Sequence, residues 1–430
     1  MGSIIAAGAP LRVESVGLTA IDASGSGTSG ELSGIAWLGD SDWITVADGD
    51  QTVYPLRVQI DAQTGRVDAA QLNPGTPLDT GSDLEGIAWD PVDDRFIISD
   101  EVGPNVRKYE ALTGREVGFI SIPDVFSRAR PNYSLESWSR QLGGRYSWTA
   151  NEEALEGDGN LSNFEEGTTV RLQRFDETDM PAGQWAYRTE RITGDSPFID
   201  EERSGVADLL ALPDGRLLVL ERELGAAGFL RLPKFRSRLY EVDFGDATDT
   251  SEIEFLEGTL WTPVTKTLLW QDSFDFDNFE GIALGPRLDD GAMSVLLISD
   301  NGGGPAPSNL FAIRLYGVEL ALQTSDLIRS EPATFQCSGA WPNETVIFIY
   351  SLDGVGDGPS IPALGGLQID LLSPVTEVGR TSADARGTAT LKVTIPTAAP
   401  PGPVALQAVA RRGAGGADSL KSNVWLSEIR

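Results

Sequence analysis

Asp83-Leu84-Glu85-Gly86-Ile87-Ala88-Trp89 runs through the turn Asp90-Pro91-Val92-Asp93-Asp94 into Arg95-Phe96-Ile97-Ile98-Ser99-Asp100-Glu101. One apolar run begins with an acid, the next ends with acids, and fifteen residues separate Glu85 from Asp100. The phrase recurs. Leu135-Glu136-Ser137-Trp138 repeats the interval to Asn151-Glu152-Glu153, and Leu32-Ser33-Gly34-Ile35-Ala36-Trp37 repeats it to Asp48. Phe279-Glu280-Gly281-Ile282-Ala283 reaches Ser299-Asp300-Asn301 after a five-residue insertion. A weaker copy pairs Ser204-Gly205-Val206-Ala207 with Leu217-Leu218-Val219-Leu220-Glu221-Arg222.

Short apolar runs broken by turns and repeated at this length are the mark of a β-propeller. Within the second copy the pattern predicts four strands: Gly86–Trp89, Arg95–Asp100, Val106–Glu110 and Glu116–Ile122. Five repeats are evident, and the irregular stretch 251–277 is the place for a sixth. The last repeat lacks a fourth strand, while 11–18 offers an unclaimed one ahead of the first repeat. Pairing the two would close the ring and remove an exposed edge. Insertions at 153–167 and 224–236 read as rim loops. Beyond Gly317 the acidic phrases stop and alternating strands with Pro/Gly turns take over, as in Ala333-Thr334-Phe335-Gln336-Cys337. The expectation is an all-β chain: a five- or six-bladed β-propeller over 11–317, then a small immunoglobulin-like β-sandwich over 318–430.

Composition narrows the chemistry. The net charge of -31 belongs almost wholly to the repeats, because Val318–Arg430 holds eight basic and eleven acidic residues. Such a field attracts cations and repels nucleic acid. The chain has no histidine, which excludes a Ser-His-Asp triad, a Cys-His pair and His-ligated zinc. Cys337 is alone, so no intrachain disulfide is possible, and it reads as a small buried hydrophobe. No run is long and apolar enough for a membrane span. Met1–Pro10 lacks the basic start and full apolar run of an intact signal peptide.

In an antiparallel pair the start of one strand lies beside the end of the next, so every blade presents its acids at one rim. The metal-ligating candidates are therefore Asp48, Glu85, Asp100, Glu101, Glu136, Asn151, Glu152, Glu221, Glu280, Asp300 and Asn301. Gathered carboxylates either raise one another's pKa or hold a cation, and oxygen-only donors suit Ca²⁺. Asp158-Gly159-Asn160 is a further calcium-like turn. Lys108 and Arg222 lie near the same phrases and are candidates to clamp an anion. Trp37, Trp89 and Trp138 hold equivalent positions and read as packing between blades.

The Glu-Gly-Ile-Ala phrases, combined with Ser99-Asp100-Glu101, Asn151-Glu152-Glu153 and Ser299-Asp300-Asn301, resemble the phytase-like family, labelled "esterase-like activity of phytase". The resemblance spans roughly residues 30–316. It implies a secreted, periplasmic or cell-surface bacterial propeller that cleaves phosphoesters or esters. Positions 33 and 204 are Ser where other repeats carry Glu, so the ring is asymmetric. The expected reaction is calcium-assisted hydrolysis of a small phosphoester. Glu85 or Glu152 would act as the base, and Arg222 or Lys108 would steady the phosphoryl group. A metal-dependent lactonase or carboxyl-esterase, and a non-catalytic calcium-stabilised scaffold attached to a surface through the C-terminal module, are the alternatives.

Overall fold

Each phrase folds into an antiparallel sheet, and the sheets follow one another around a channel. The computed structural model describes residues 10–28, 30–47, 49–81, 83–142, 146–199, 202–227, 232–302 and 307–430. Met1–Ala9 and Asp48 lie outside the described residues. Among the described residues there are five blades. The first holds Leu32–Gly39, Asp42–Ala47, Thr52–Ile60 and Val67–Leu72, with the short Thr76–Pro77 added; the second holds Leu84–Asp90, Arg95–Asp100, Asn105–Glu110 and Glu116–Ile120. The third is Ser139–Arg140, Ser147–Ala150, Thr169–Phe175 and Pro181–Arg188. Blade four is Arg203–Ala211, Leu217–Ala227, Leu232–Asp243 and Thr265–Phe274.

Blade five combines Asn278–Arg287, Met293–Asp300 and Asn309–Tyr316 with Arg12–Ala20 from the other end of the chain. The unclaimed early strand therefore does close the ring. Among the described residues no sixth blade forms. Residues 251–264 carry no strand, and Thr265–Phe274 is the outer strand of blade four. The irregular stretch lies along blade three, where the Arg171 guanidinium donates to the Ile253 and Glu254 carbonyls at 2.9 and 3.1 Å. Of the insertion at 224–236, residues 224–227 and 232–236 extend two paired strands of blade four rather than a loop.

Innermost strands are buried on both faces and read as near-continuous apolar runs, as Leu84–Asp90 does; outer strands such as Glu116–Ile120 are largely exposed. Glycines set how closely the blades approach. A Cβ on Gly34 would meet the Glu85 carbonyl oxygen at 2.2 Å, and one on Gly86 would meet the Trp138 amide nitrogen at 2.0 Å. On Gly281 it would meet the Ser33 carbonyl oxygen at 2.4 Å. The glycine of the repeated phrase is thus the point where one blade's backbone touches the next.

Residues 321–429 form a β-sandwich. Ala321–Thr324, Pro332–Ser338 and Ala389–Thr394 make one sheet. Thr376–Ser382, Thr345–Ser351 and Gly402–Ala410 make the other, with Leu420–Lys421 and Trp425–Ile429 paired to its last strand. Phe335, Cys337, Phe348 and Leu406 share the core between them. Hydrogen bonds tie the sandwich to the propeller. Arg287 donates to the Gly339 carbonyl at 2.6 Å and Trp341 Nε1 to the Leu288 carbonyl at 3.1 Å. The turn at Ala385-Arg386 packs on Gly39, at the end of the channel opposite the acidic phrases.

Candidate functional site

The acidic phrase begins with a register shift. Leu84 pairs with Asp100 and Ile87 with Ile98, so Glu85 and Gly86 share the place of one residue. The same irregularity falls between Leu32 and Ile35 and between Phe279 and Gly281. Such bulges bend a strand and re-aim a side chain, and here they occur at Ser33, Glu85 and Glu280.

The paired residues at the ends of the second strands divide their work. Asp100, Asn151 and Glu221, first in each pair, are buried inside their blades. Asp100 Oδ1 accepts the Val102 amide at 3.2 Å, and Asn151 Oδ1 accepts the Arg171 amide at 2.9 Å. Glu221 takes the Tyr187 hydroxyl and the Lys266 ammonium, each at 2.6 Å, and the Glu190 amide at 2.9 Å. The second residues, Glu101, Glu152 and Arg222, belong to the channel mouth. Neighbours on a strand face opposite sides, so one residue of each pair serves the blade and the other the site.

Two clusters result. Carboxylate oxygens of Asp83, Glu85 and Glu101 lie within 4.8 Å of one another. Ser33 Oγ donates to Glu85 Oε2 at 2.5 Å, and the Ser134 amide donates to Glu101 at 2.9 Å. Opposite them, the Arg222 guanidinium is held by Glu152 at 2.5 Å and by Glu280, with Asn278 Oδ1 at 3.3 Å. Asn278 in turn donates to Glu280 at 2.6 Å. Glu136 feels both clusters. Burial, then Glu85, Glu152 and Glu101, push its carboxyl well above the usual range. Burial raises Glu101 to about 7, with Asp83 and Glu152 adding to it. Glu280 also rises to about 7, through burial and despite Arg222. Burial opposes the charge on Arg222, but Glu152, Glu280 and Glu136 outweigh it and hold the guanidinium protonated.

Of the residues expected at the rim, Glu85, Glu101, Glu136, Glu152, Glu280 and Arg222 come together. Asp300 and Asn301 stand beside them in local roles: Asp300 accepts the Gly302 amide at 2.6 Å, and Asn301 accepts the Glu31 amide at 3.0 Å. Lys108 lies elsewhere. It is on the third strand of blade two, bonded to Asp179 at 2.5 Å, and it lines a cleft on the sandwich side. Asp158 is also structural, its carboxylate doubly bonded to the buried Arg171 at 2.6 and 2.9 Å. The sequence reading missed Asp83. Its place two residues before Glu85 was the available signal.

No curated protein matches the chain. Among solved structures it is similar to a luciferin-regenerating enzyme, at 12% identity over 72% of this chain and 96% of that one, with a TM-score of 0.31. It is also similar to a DUF4221 family member from Bacteroides vulgatus, at 7% identity over 71% and 99%, with a TM-score of 0.32. Values this low carry no functional argument. A family model described as "Phytase-like: Esterase-like activity of phytase" matches residues 28–303, which hold four blades, the two inner strands of the fifth and the acidic mouth. The chain belongs to the phytase-like family.

Proposed function

We propose that the protein hydrolyses a small phosphoester at the acidic channel mouth, with calcium held there. The observation that carries this reading is the convergence of Asp83, Glu85 and Glu101 on one point, across the rim from an arginine. The fit to calcium is chemical: every donor is a carboxylate oxygen, and like charges this close need a cation or a proton. Asp83, Glu85 and Glu101 would hold the ion, with Glu136 beside them. Bound there, it would supply positive charge and Lewis acidity.

The chain's own residues supply the rest. Arg222 has only 15% of its side chain exposed, so its charge is weakly screened and is aimed at an incoming phosphate. Glu152 and Glu280 fix the guanidinium from two sides and cancel the cost of burying it. Glu85 takes a proton from the attacking water as the water oxygen bonds to phosphorus; the P–O bond to the leaving group breaks, and the released alkoxide takes a proton from solvent. The family also points to work outside the cytoplasm, with the sandwich as an immunoglobulin-like attachment module.

The test is phosphate release from phytate and from p-nitrophenyl phosphate, with calcium and with a chelator. Calcium-dependent release that Glu85→Gln abolishes without lowering the melting temperature in chelator supports the reading. Release indifferent to the chelator, or turnover of lactones alone, overturns it.

A further inference from the structure

On the far side of the ring, the propeller and the sandwich enclose a cleft of about 1070 Å³. One wall comes from the three-stranded sheet of the sandwich, whose outward face presents Thr334, Gln336 and Thr390. Trp89 of the second blade and Trp425 of the last strand contribute aromatic surface. At the floor stand two arginines, Arg140 and Arg386, which also line the narrow lower end of the channel.

Arg386 is the unusual one. It sits on the turn that the sandwich pushes against the ring, and its buried Nε has no hydrogen-bond partner. Among the described residues its guanidinium forms no ion pair. Asp384 and Asp90 act on it only at longer range, while burial and the like charge of Arg140 lower its pKa to about 10. Arg140, 12% exposed, is only loosely matched, with Asp90 at 3.4 Å and Asp179 at 3.6 Å. A desolvated guanidinium without an acceptor is costly, and a planar anion offers it two parallel hydrogen bonds. Seven carboxylates line the same cleft, among them Asp90 and Asp179 beside Arg140 and Asp384 near Arg386, so an anion is favoured only where the two guanidiniums stand together.

We propose that this cleft binds an acidic sugar, with its carboxylate between Arg386 and Arg140 and its rings against Trp89 and Trp425. Hydroxyl and amide groups at Thr334, Gln336 and Thr390 match the many hydroxyls of such a ligand, and the cleft has room for several sugar rings. The site is independent of the acidic mouth.

The experiment is calorimetric titration of the full chain, in chelator, with trigalacturonate, maltotriose and inorganic phosphate. Trigalacturonate is expected to bind at least about tenfold more tightly than either control, and Arg386→Met to weaken it about 10- to 100-fold. Thr390→Glu, an exposed change on the opposite wall, is expected to weaken it several-fold with the melting temperature unchanged. That variant carries the test if Arg386→Met disturbs packing. No binding of trigalacturonate, equal binding of maltotriose or phosphate, or affinity indifferent to Thr390→Glu overturns the proposal.

Discussion

The same inner strands end in opposite chemistries. Where they begin, bulges turn Ser33, Glu85 and Glu280 toward a mouth already crowded by Glu101, Glu136 and Glu152, with Arg222 as the counter-charge. Where they finish, Trp37, Trp89, Ala211 and Leu284 narrow the channel to a cavity of about 60 Å³, and Arg386 of the sandwich stands across it. One end concentrates carboxylates around a single guanidinium. The other is packed and capped. A propeller can build both because its rim residues face the axis freely, while the middle of each strand must satisfy the packing of its neighbours.

The contrast can be broken most severely at Arg222. Arg222→Met would leave Glu152 and Glu280 buried against each other, and we expect a loss of about 3–5 kcal/mol of stability. If the phosphoester reading holds, activity would fall by about 10²–10³-fold. Arg222→Lys should keep most of the fold while losing the planar guanidinium that faces the phosphate, so melting and turnover measured together separate the two effects. Next comes the cation. Millimolar calcium is expected to raise the melting temperature by about 5–10 °C over chelator, and Glu85→Gln with Glu101→Gln to abolish that rise. An undiminished shift in the double variant would place the ion elsewhere.

Smaller effects test the strand geometry. Gly86→Ala drives a methyl group into the backbone of the next blade and should cost about 1–3 kcal/mol, read from denaturant unfolding. Gly118→Ala, with nothing near the added carbon, should stay within about 0.5 kcal/mol. The pH-dependent test concerns Asp208, which is buried between blades four and five and accepts the Ile282 and Leu209 amides. Burial lifts its carboxyl to about 8. The folded chain therefore keeps a proton that the unfolded chain has lost, so stability falls as pH rises from the ordinary carboxylate range to about 8, then levels off. Asp208→Asn removes that slope. Its unfolding free energy, read from denaturant unfolding, should gain on the parent between pH 5 and 8, by up to about 1.4 kcal/mol per pH unit.

Much of this was legible in the sequence. The interval from Glu85 to Asp100 revealed the blades, and the missing fourth strand of the last repeat pointed to its replacement near the start of the chain. What was not legible depends on which way a side chain turns. Asp100 and Glu101 look equivalent in sequence, yet one bonds its own turn and the other faces the mouth. Arg222 could be placed because it follows Glu221 as Glu101 follows Asp100. Lys108 misled because nearness in sequence to a rim phrase says nothing about depth within the blade. The cleft at Arg386 was invisible, since it exists only where the sandwich meets the propeller.

The strand Arg12–Ala20 has a consequence for the order of folding. It pairs with Asn309–Tyr316, so the ring cannot shut until nearly three hundred further residues have been made. Until then the nascent chain carries an open edge on its last blade, and the sandwich emerges from the ribosome as that edge is being covered. A chain shortened by its first twenty residues would keep every rim acid and still lack the clasp. It should be recovered as aggregate rather than as a weakened enzyme.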